Sequence, residues 1–201
     1  HNSSFTLNYN VNFIPIPLTN PMGKVMGGLA TYNRFTVTNA TRHQFPSSYA
    51  WPNSIYFLDR CFLVNRMPYN DVELIVINTH NSAYDDGSMK KAEMDFLKDF
   101  LTAEEEKGNY IIVGGDWNQH APENGDRQVP NDYIDGWNWF YDTSFPTNRN
   151  LETAYVAGET QTQVIDFFLC SPNVELQELN VINLDFKFSD HQPVLMTVNL
   201  K

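Results

Sequence analysis

YIIVGGDWNQHAPE, residues 110 to 123, runs four apolar residues into two glycines, then an acid, a tryptophan and an amide. A short unbroken apolar run ended by glycine suits a strand buried on both faces. Tyr110 to Val113 are read as that strand, and the polar residues behind it as its exit from the core. In extended chain Asp116 and Asn118 point the same way and Trp117 the opposite way. Gly114 and Gly115 give the backbone freedom to make that approach.

Outward from this strand, SMKKAEMDFLKDFLTAEEEKG (88–108) carries Met89, Ala92, Met94, Phe96, Leu97, Phe100 and Leu101 largely at helical spacing. Ser88 is placed to cap the helix and Gly108 to end it. Before it, RCFLVNRM and VELIVINTH flank the turn PYND, so residues 58 to 80 read as a hairpin. Residues 41 to 54 read as a loop. LATYNRFTV after Gly27-Gly28 and the alternating stretch 4 to 17 read as strands, the latter an edge strand ended by Pro15 and Pro17. Beyond the opening stretch, residues 119 to 150 form a long aromatic-rich connection. QVIDFFLCS, LNVINLDFKF and PVLMTVNLK then supply three more strands. Many strands with one clear helix predict an α/β fold of packed layers.

The composition fits a single domain over 1–201, with 42% hydrophobic residues for a core. The net charge of -11 argues against a sequence-blind grip on nucleic acid, which needs a basic face. It leaves room for phosphate chemistry, because a bound metal reverses the local potential. Cys61 and Cys170 sit in apolar runs and read as buried thiols rather than a disulfide or a zinc site. No apolar run is long enough to span a membrane. A leader removed ahead of residue 1 would make the chain secreted or periplasmic, and the compartment stays open. Asn2-Ser3-Ser4 and Asn39-Ala40-Thr41 fit the glycosylation triplet.

Chemically capable residues recur where strands end: His80, Asp116, Asn118, Asp166, Asp190 and His191. Asp166 stands among apolar neighbours and requires a partner, for which a histidine is the natural choice. Asp190 and His191, being adjacent, are expected to diverge, one toward a metal and one toward a substrate. Two carboxylates about 4 Å apart repel by roughly 4 kcal/mol at an effective dielectric near 20. A divalent cation relieves this, and oxygen ligands without cysteine indicate Mg2+, or Mn2+ or Ca2+. Such a site suits phosphoester hydrolysis.

NTH (78–80), GDWN (115–118), VIDFFL (164–169) and SDHQPV (189–194) resemble, in order, the late motifs of the endonuclease/exonuclease/phosphatase superfamily, of deoxyribonuclease-I-like fold. GLATYNR (28–34) resembles its mid-domain strand. The resemblance implies a layered α/β sandwich of two packed, mainly antiparallel sheets flanked by helices. It implies that Asp116 activates or positions water, that Asn118 orients phosphate and metal, and that His80 stabilises phosphate charge. Asp190 becomes a metal ligand, with Asp116 beside it, and His191 meets the scissile phosphate, held by Asp166. Trp117 is a further substrate contact.

The family's first half also supplies an asparagine and a glutamate ligand. Glu73 is the only glutamate before His80, and its strand is not the ligand's. LNYNVNF is read as a mid-domain strand rather than the opening one, which would make Asn10 the early asparagine. The chain is therefore expected to be the C-terminal two-thirds or so of the domain, incomplete at the N-terminus, weakly active or inactive, and prone to self-association. The acidic charge favours a small-molecule or lipid-linked phosphoester over DNA or RNA. A nuclease and an inactive binding relative are the alternatives. The WNWFY segment (137–141) reads as buried support rather than a shelf for substrate, and His120 as a bystander.

Overall fold

In the computed structural model the described residues are 2–46, 49–53, 60–83 and 87–201. They form two compact units, His1–Asn109 and Tyr110–Lys201. Residues 54, 58 and 59 of the expected loop and hairpin lie outside the described residues, as do 47 and 48.

In the first unit β1 (Asn2–Ile14) pairs antiparallel with β2 (Gly23–Asn33), Asn10 opposite Met26. The strand expected over 29–37 thus begins earlier, at Gly23, and stops at Asn33. β3 (Asn39–Gln44), β4 (Cys61–Tyr69) and β5 (Val72–His80) form an antiparallel meander. β3 takes residues from the expected loop, because Thr41 to Gln44 find backbone partners on β4. Alternation along β4 separates two layers. Cys61 and Leu63 face Leu29 of β2. Phe62 faces the other way, onto His43 (ring centroids 4.8 Å apart), Phe96 (6.0 Å) and Phe100 (5.4 Å).

Phe96 and Phe100 belong to α1 (Ser88–Glu105), so this unit layers hairpin, meander and helix. The cap falls on Gly87, whose carbonyl takes the Lys91 N–H, and not on Ser88. Gly108 closes the far end at φ +78°. The helix buries Met94, Leu97 and Leu101, and with them Glu93 and Glu104. Each buried acid has partners, as buried charge requires. Glu93 receives the backbone N–H (2.9 Å) and hydroxyl of Ser82. Glu104 receives Arg66 of β4, Lys107 and Asn109. Among the described residues α1 is the one α-helix, fewer than the flanking helices expected.

In the second unit β6 (Tyr110–Asp116) pairs antiparallel with β10 (Asp166–Cys170), and β10 with β7 (Asn138–Phe140). The short strands β8 (Asn148–Arg149) and β9 (Thr162–Gln163) pair with each other, as do β11 (Val174–Val181) and β12 (Val194–Leu200). LNVINLDFKF is only partly strand: β11 ends at Val181, and Asp185 and Phe186 take positive φ, which ladders exclude. Trp117 and Phe167 stack at 5.6 Å, with Trp139 and Tyr141 edge-on to Phe167. WNWFY is therefore part of the packing, and Trp137 is buried.

Gly114 has a steric reason. A Cβ there would lie 2.6 Å from the Phe168 ring, across the ladder. Gly114→Ala is expected to cost about 1–3 kcal/mol by overpacking. Urea unfolding checks this, and an unchanged midpoint would contradict the close approach. Neither cysteine is in a disulfide and both are buried, and burial pushes the Cys170 thiol up to about 12.

Candidate active site

The ladder between β6 and β10 sets Asp166 directly opposite Asp116, at the end of one strand and the start of the other. Two acids come to one edge because the buried runs IIV and FFL stop there together. Asp116 is anchored by its near neighbour Asn118. The Asn118 N–H donates to its Oδ1 at 2.9 Å, and the Asn118 amide nitrogen lies 3.3 Å from its Oδ2. This Asx-type turn puts Asn118 at φ +48°, a conformation asparagine tolerates better than most residues. Asp116 and Asn118 therefore meet through a turn, and not through plain extended geometry. Trp117 between them is fully buried, its indole N–H given to the Phe167 carbonyl at 3.0 Å. It has no surface to offer a substrate and supports the turn from beneath.

His191 Nδ1 lies 2.8 Å from Asp166 Oδ2. Its Nε2 lies 3.9 Å from Asp116 Oδ2 and 3.9 Å from Asp190 Oδ2. Asp190 and His191 thus reach the same place instead of diverging. They sit in a turn, where the His191 N–H donates to Ser189 Oγ, and the alternation of a strand does not apply. Burial opposes charge on the His191 ring. The Asp166 hydrogen bond and the Asp166, Asp116 and Asp190 charges outweigh it and raise the ring's pKa to about 9. Burial likewise raises the Asp166 carboxyl, against the pull of His191. The direction that stands is one proton held by the pair on the ring side, since the ring faces three carboxylates.

Thr147, Asn148 and Gln163 carry no signal in the sequence, yet they frame this pair. The Thr147 hydroxyl accepts the Ile165 and Asp166 N–H groups at 3.0 Å each. Asn148 Nδ2 is 2.9 Å from His191 Nε2, and its Oδ1 accepts from Gln163 Nε2 at 2.9 Å. Gln192 ties the turn down, its N–H to the Thr147 carbonyl at 2.7 Å. His120 is joined to this group, Nε2 to Gln163 Oε1 at 3.1 Å. An open depression of about 180 Å³ beside the pair is lined by Gly115, Asp166, Phe167, Phe168, Gln192 and Val194. It is smaller than the roughly 300 Å³ at which ligand pockets begin, so it suits one group of a substrate.

His80 lies in the first unit, at the end of β5. Within that unit its Nδ1 is 3.3 Å from the amide nitrogen of buried Asn8. Five of the expected residues, Asp116, Asn118, Asp166, Asp190 and His191, therefore share the second unit.

The Endonuclease/Exonuclease/phosphatase family matches this chain over residues 2–191. Among solved structures, an endonuclease/exonuclease/phosphatase from Beutenbergia cavernae superposes with a TM-score of 0.66 at 18% identity, covering 98% of this chain and 53% of that one. The D. rerio protein TDP2, solved with a single strand DNA product, gives 0.64 at 15% identity over 98% and 77% of the two chains. A mannosyl-6-phosphatase from Bacteroides thetaiotaomicron gives 0.63 at 13% over 98% and 77%. At such identities the likeness shows the fold, a layered α/β sandwich. The chain spans about half the length of the Beutenbergia protein, 53% of it. No curated protein matches the sequence.

Proposed function

Because this chain belongs to the endonuclease/exonuclease/phosphatase family, whose members hydrolyse phosphoesters, we propose that it is a divalent-metal-dependent phosphoester hydrolase. One observation carries the reading: the His191–Asp166 pair turns its second ring nitrogen toward the carboxylates of Asp116 and Asp190, 3.9 Å away each.

The family generally uses divalent metals. Asp190 and Asp116 offer hard oxygens and no thiol stands beside them, a donor set that fits Mg2+, or Mn2+ or Ca2+. Among the described residues no third His, Cys, Asp or Glu completes a ready-made cluster. Water and phosphate oxygens would complete the shell, as is usual for Mg2+, and binding by the protein alone is weak. When bound, the cation neutralises charge on the phosphoryl group.

The chain's own groups do the rest. Asp116, anchored by Asn118, positions the attacking water and accepts its proton. The Asn118 amide orients the phosphate. His191, held by Asp166 through Nδ1, faces the phosphate with Nε2 and balances its charge. The net charge of -11 supports a small-molecule or lipid-linked phosphoester as substrate.

Turnover of sugar and lipid phosphates, compared with plasmid nicking in excess Mg2+ and again with chelator, tests this. The reading expects chelator-sensitive release of phosphate from members of the panel. Nicking that outpaces the whole panel would assign a nuclease. No turnover of any substrate in excess Mg2+ would leave a binding relative.

A further inference from the structure

The β1–β2 ladder closes with Ile14 opposite Gly23, which leaves residues 15 to 22 as the connection. A hairpin turn needs only about 2–5 residues, so this one is long. Residues 16 to 22 are exposed without a break, and they are rich in apolar side chains. Leu18 is 86% exposed, Phe13 and Met22 59% each, and Ile16 42%. Apolar side chains gathered in water mark a contact surface.

Two features of the tip indicate what it contacts. Its backbone is prepared to leave water, where each unpaired polar group would be costly. Pro15, Pro17 and Pro21 have no N–H to lose. The Asn20 N–H donates to the Pro17 carbonyl at 3.0 Å, and the Met22 N–H to the Ile16 carbonyl at 3.2 Å. The second feature is charge. The chain carries 24 acids and a net charge of -11, yet no Asp or Glu precedes Asp59. Lys24, Arg34 and Arg42 are the only Lys or Arg residues in that acid-free stretch. A tip without carboxylates enters an apolar interface without stripping water from a negative charge. Lys24, exposed just beyond Met22, can lay its stem along the tip and keep its ammonium among headgroup phosphates.

A second copy of the chain is the competing occupant. A stable protein interface takes about 800 Å2 and about 20–30 residues from each partner. The narrow tip offers far fewer, whereas fluid lipid adapts to any shape. The acidic remainder of the chain is repelled by an anionic surface, which leaves a zwitterionic one. We propose that the β1–β2 tip is a peripheral docking element that inserts Phe13, Ile16, Leu18 and Met22 into the interface of a zwitterionic phospholipid bilayer. Docking of this kind needs no turnover, so it stands or falls apart from the hydrolytic reading.

The test is flotation with phosphatidylcholine vesicles, without substrate, at about 0.1 M and about 1 M NaCl. The parent is compared with Leu18→Asp and with Leu195→Asp, which makes the same charge change at an exposed residue of β12. The parent should float at both salt concentrations. Leu18→Asp should lower the bound fraction by roughly tenfold or more, the worth of one buried leucine, and Leu195→Asp should leave it unchanged. A polarity-sensitive dye on Leu18→Cys should shift to the blue when vesicles are added, and the buried Cys61 and Cys170 do not compete for the label. No flotation of the parent, binding lost at the higher salt, or equal loss in both Asp variants would overturn the proposal. Self-association without vesicles that Leu18→Asp abolishes, in a parent that does not float, would overturn it and assign the tip to a second copy.

Discussion

Asp116→Asn is expected to lower phosphoester turnover by about 10³-fold in excess Mg2+, within the range typical for loss of a positioned acid–base group. The substitution keeps the volume and removes three things together. The carboxylate that faces His191 Nε2 at 3.9 Å loses its charge. A hard oxygen ligand for the cation disappears. An NH2 replaces one of two oxygens that now meet the Asn118 N–H (2.9 Å) and the Asn118 amide (3.3 Å). Stability should change little, because the Asp116 charge disfavours the Asp166 carboxylate opposite it while it supports the His191 ring. Turnover and thermal unfolding measured on the same sample separate the two effects. Activity within tenfold of the parent would remove Asp116 from the chemistry.

Arg66→Ala is expected to destabilise the protein by about 3 kcal/mol, the low end for removing one partner of a buried pair. Arg66 NH1 reaches Glu73 at 2.6 Å and Glu104 at 3.0 Å, and NH2 reaches the other Glu104 oxygen. Glu104 is nearly fully buried but keeps Lys107 and Asn109, which limits the loss. Burial alone would raise the Glu104 carboxyl, but the Arg66 and then the Lys107 bonds hold it down to about 2. A depressed carboxyl stabilises the fold above its unfolded value, near 4.5, and loses that contribution as pH falls toward about 2. The difference between parent and variant should therefore shrink across that window. Urea midpoints at several pH values read it directly, and a difference independent of pH would assign the loss to packing alone.

Some of this is legible in the residues and some is not, for physical reasons. YIIVGG and VIDFFL stand out because a strand buried on both faces must be apolar throughout, and a lone acid in such a run needs a partner. His191 is that partner of Asp166. The sequence misleads on the direction of Asp190 and His191 because a turn, not a strand, carries them. Asn148, Thr147 and Gln163 are invisible in it: each is an ordinary polar residue whose role arises from pairings made across the fold, such as the bridge of Asn148 to His191. Glu93 and Glu104 escape for a related reason. The apolar stripe of α1 is local, whereas the partners that let acids join it, Ser82 and Arg66, come from other elements. Alternation places Trp117 on the correct face, away from Asp116 and Asn118. Only packing against Phe167 shows that this face is closed to substrate.

The most direct measurement of the central claim is release of nitrophenolate from a chromogenic phosphodiester by the parent and His191→Ala proteins, in excess Mg2+ and with chelator. The expected result is a weak, chelator-sensitive turnover in the parent and a loss of at least about 10²-fold in the variant, with both proteins equally folded. Equal turnover by parent and variant, or parent turnover indifferent to chelator, would contradict it.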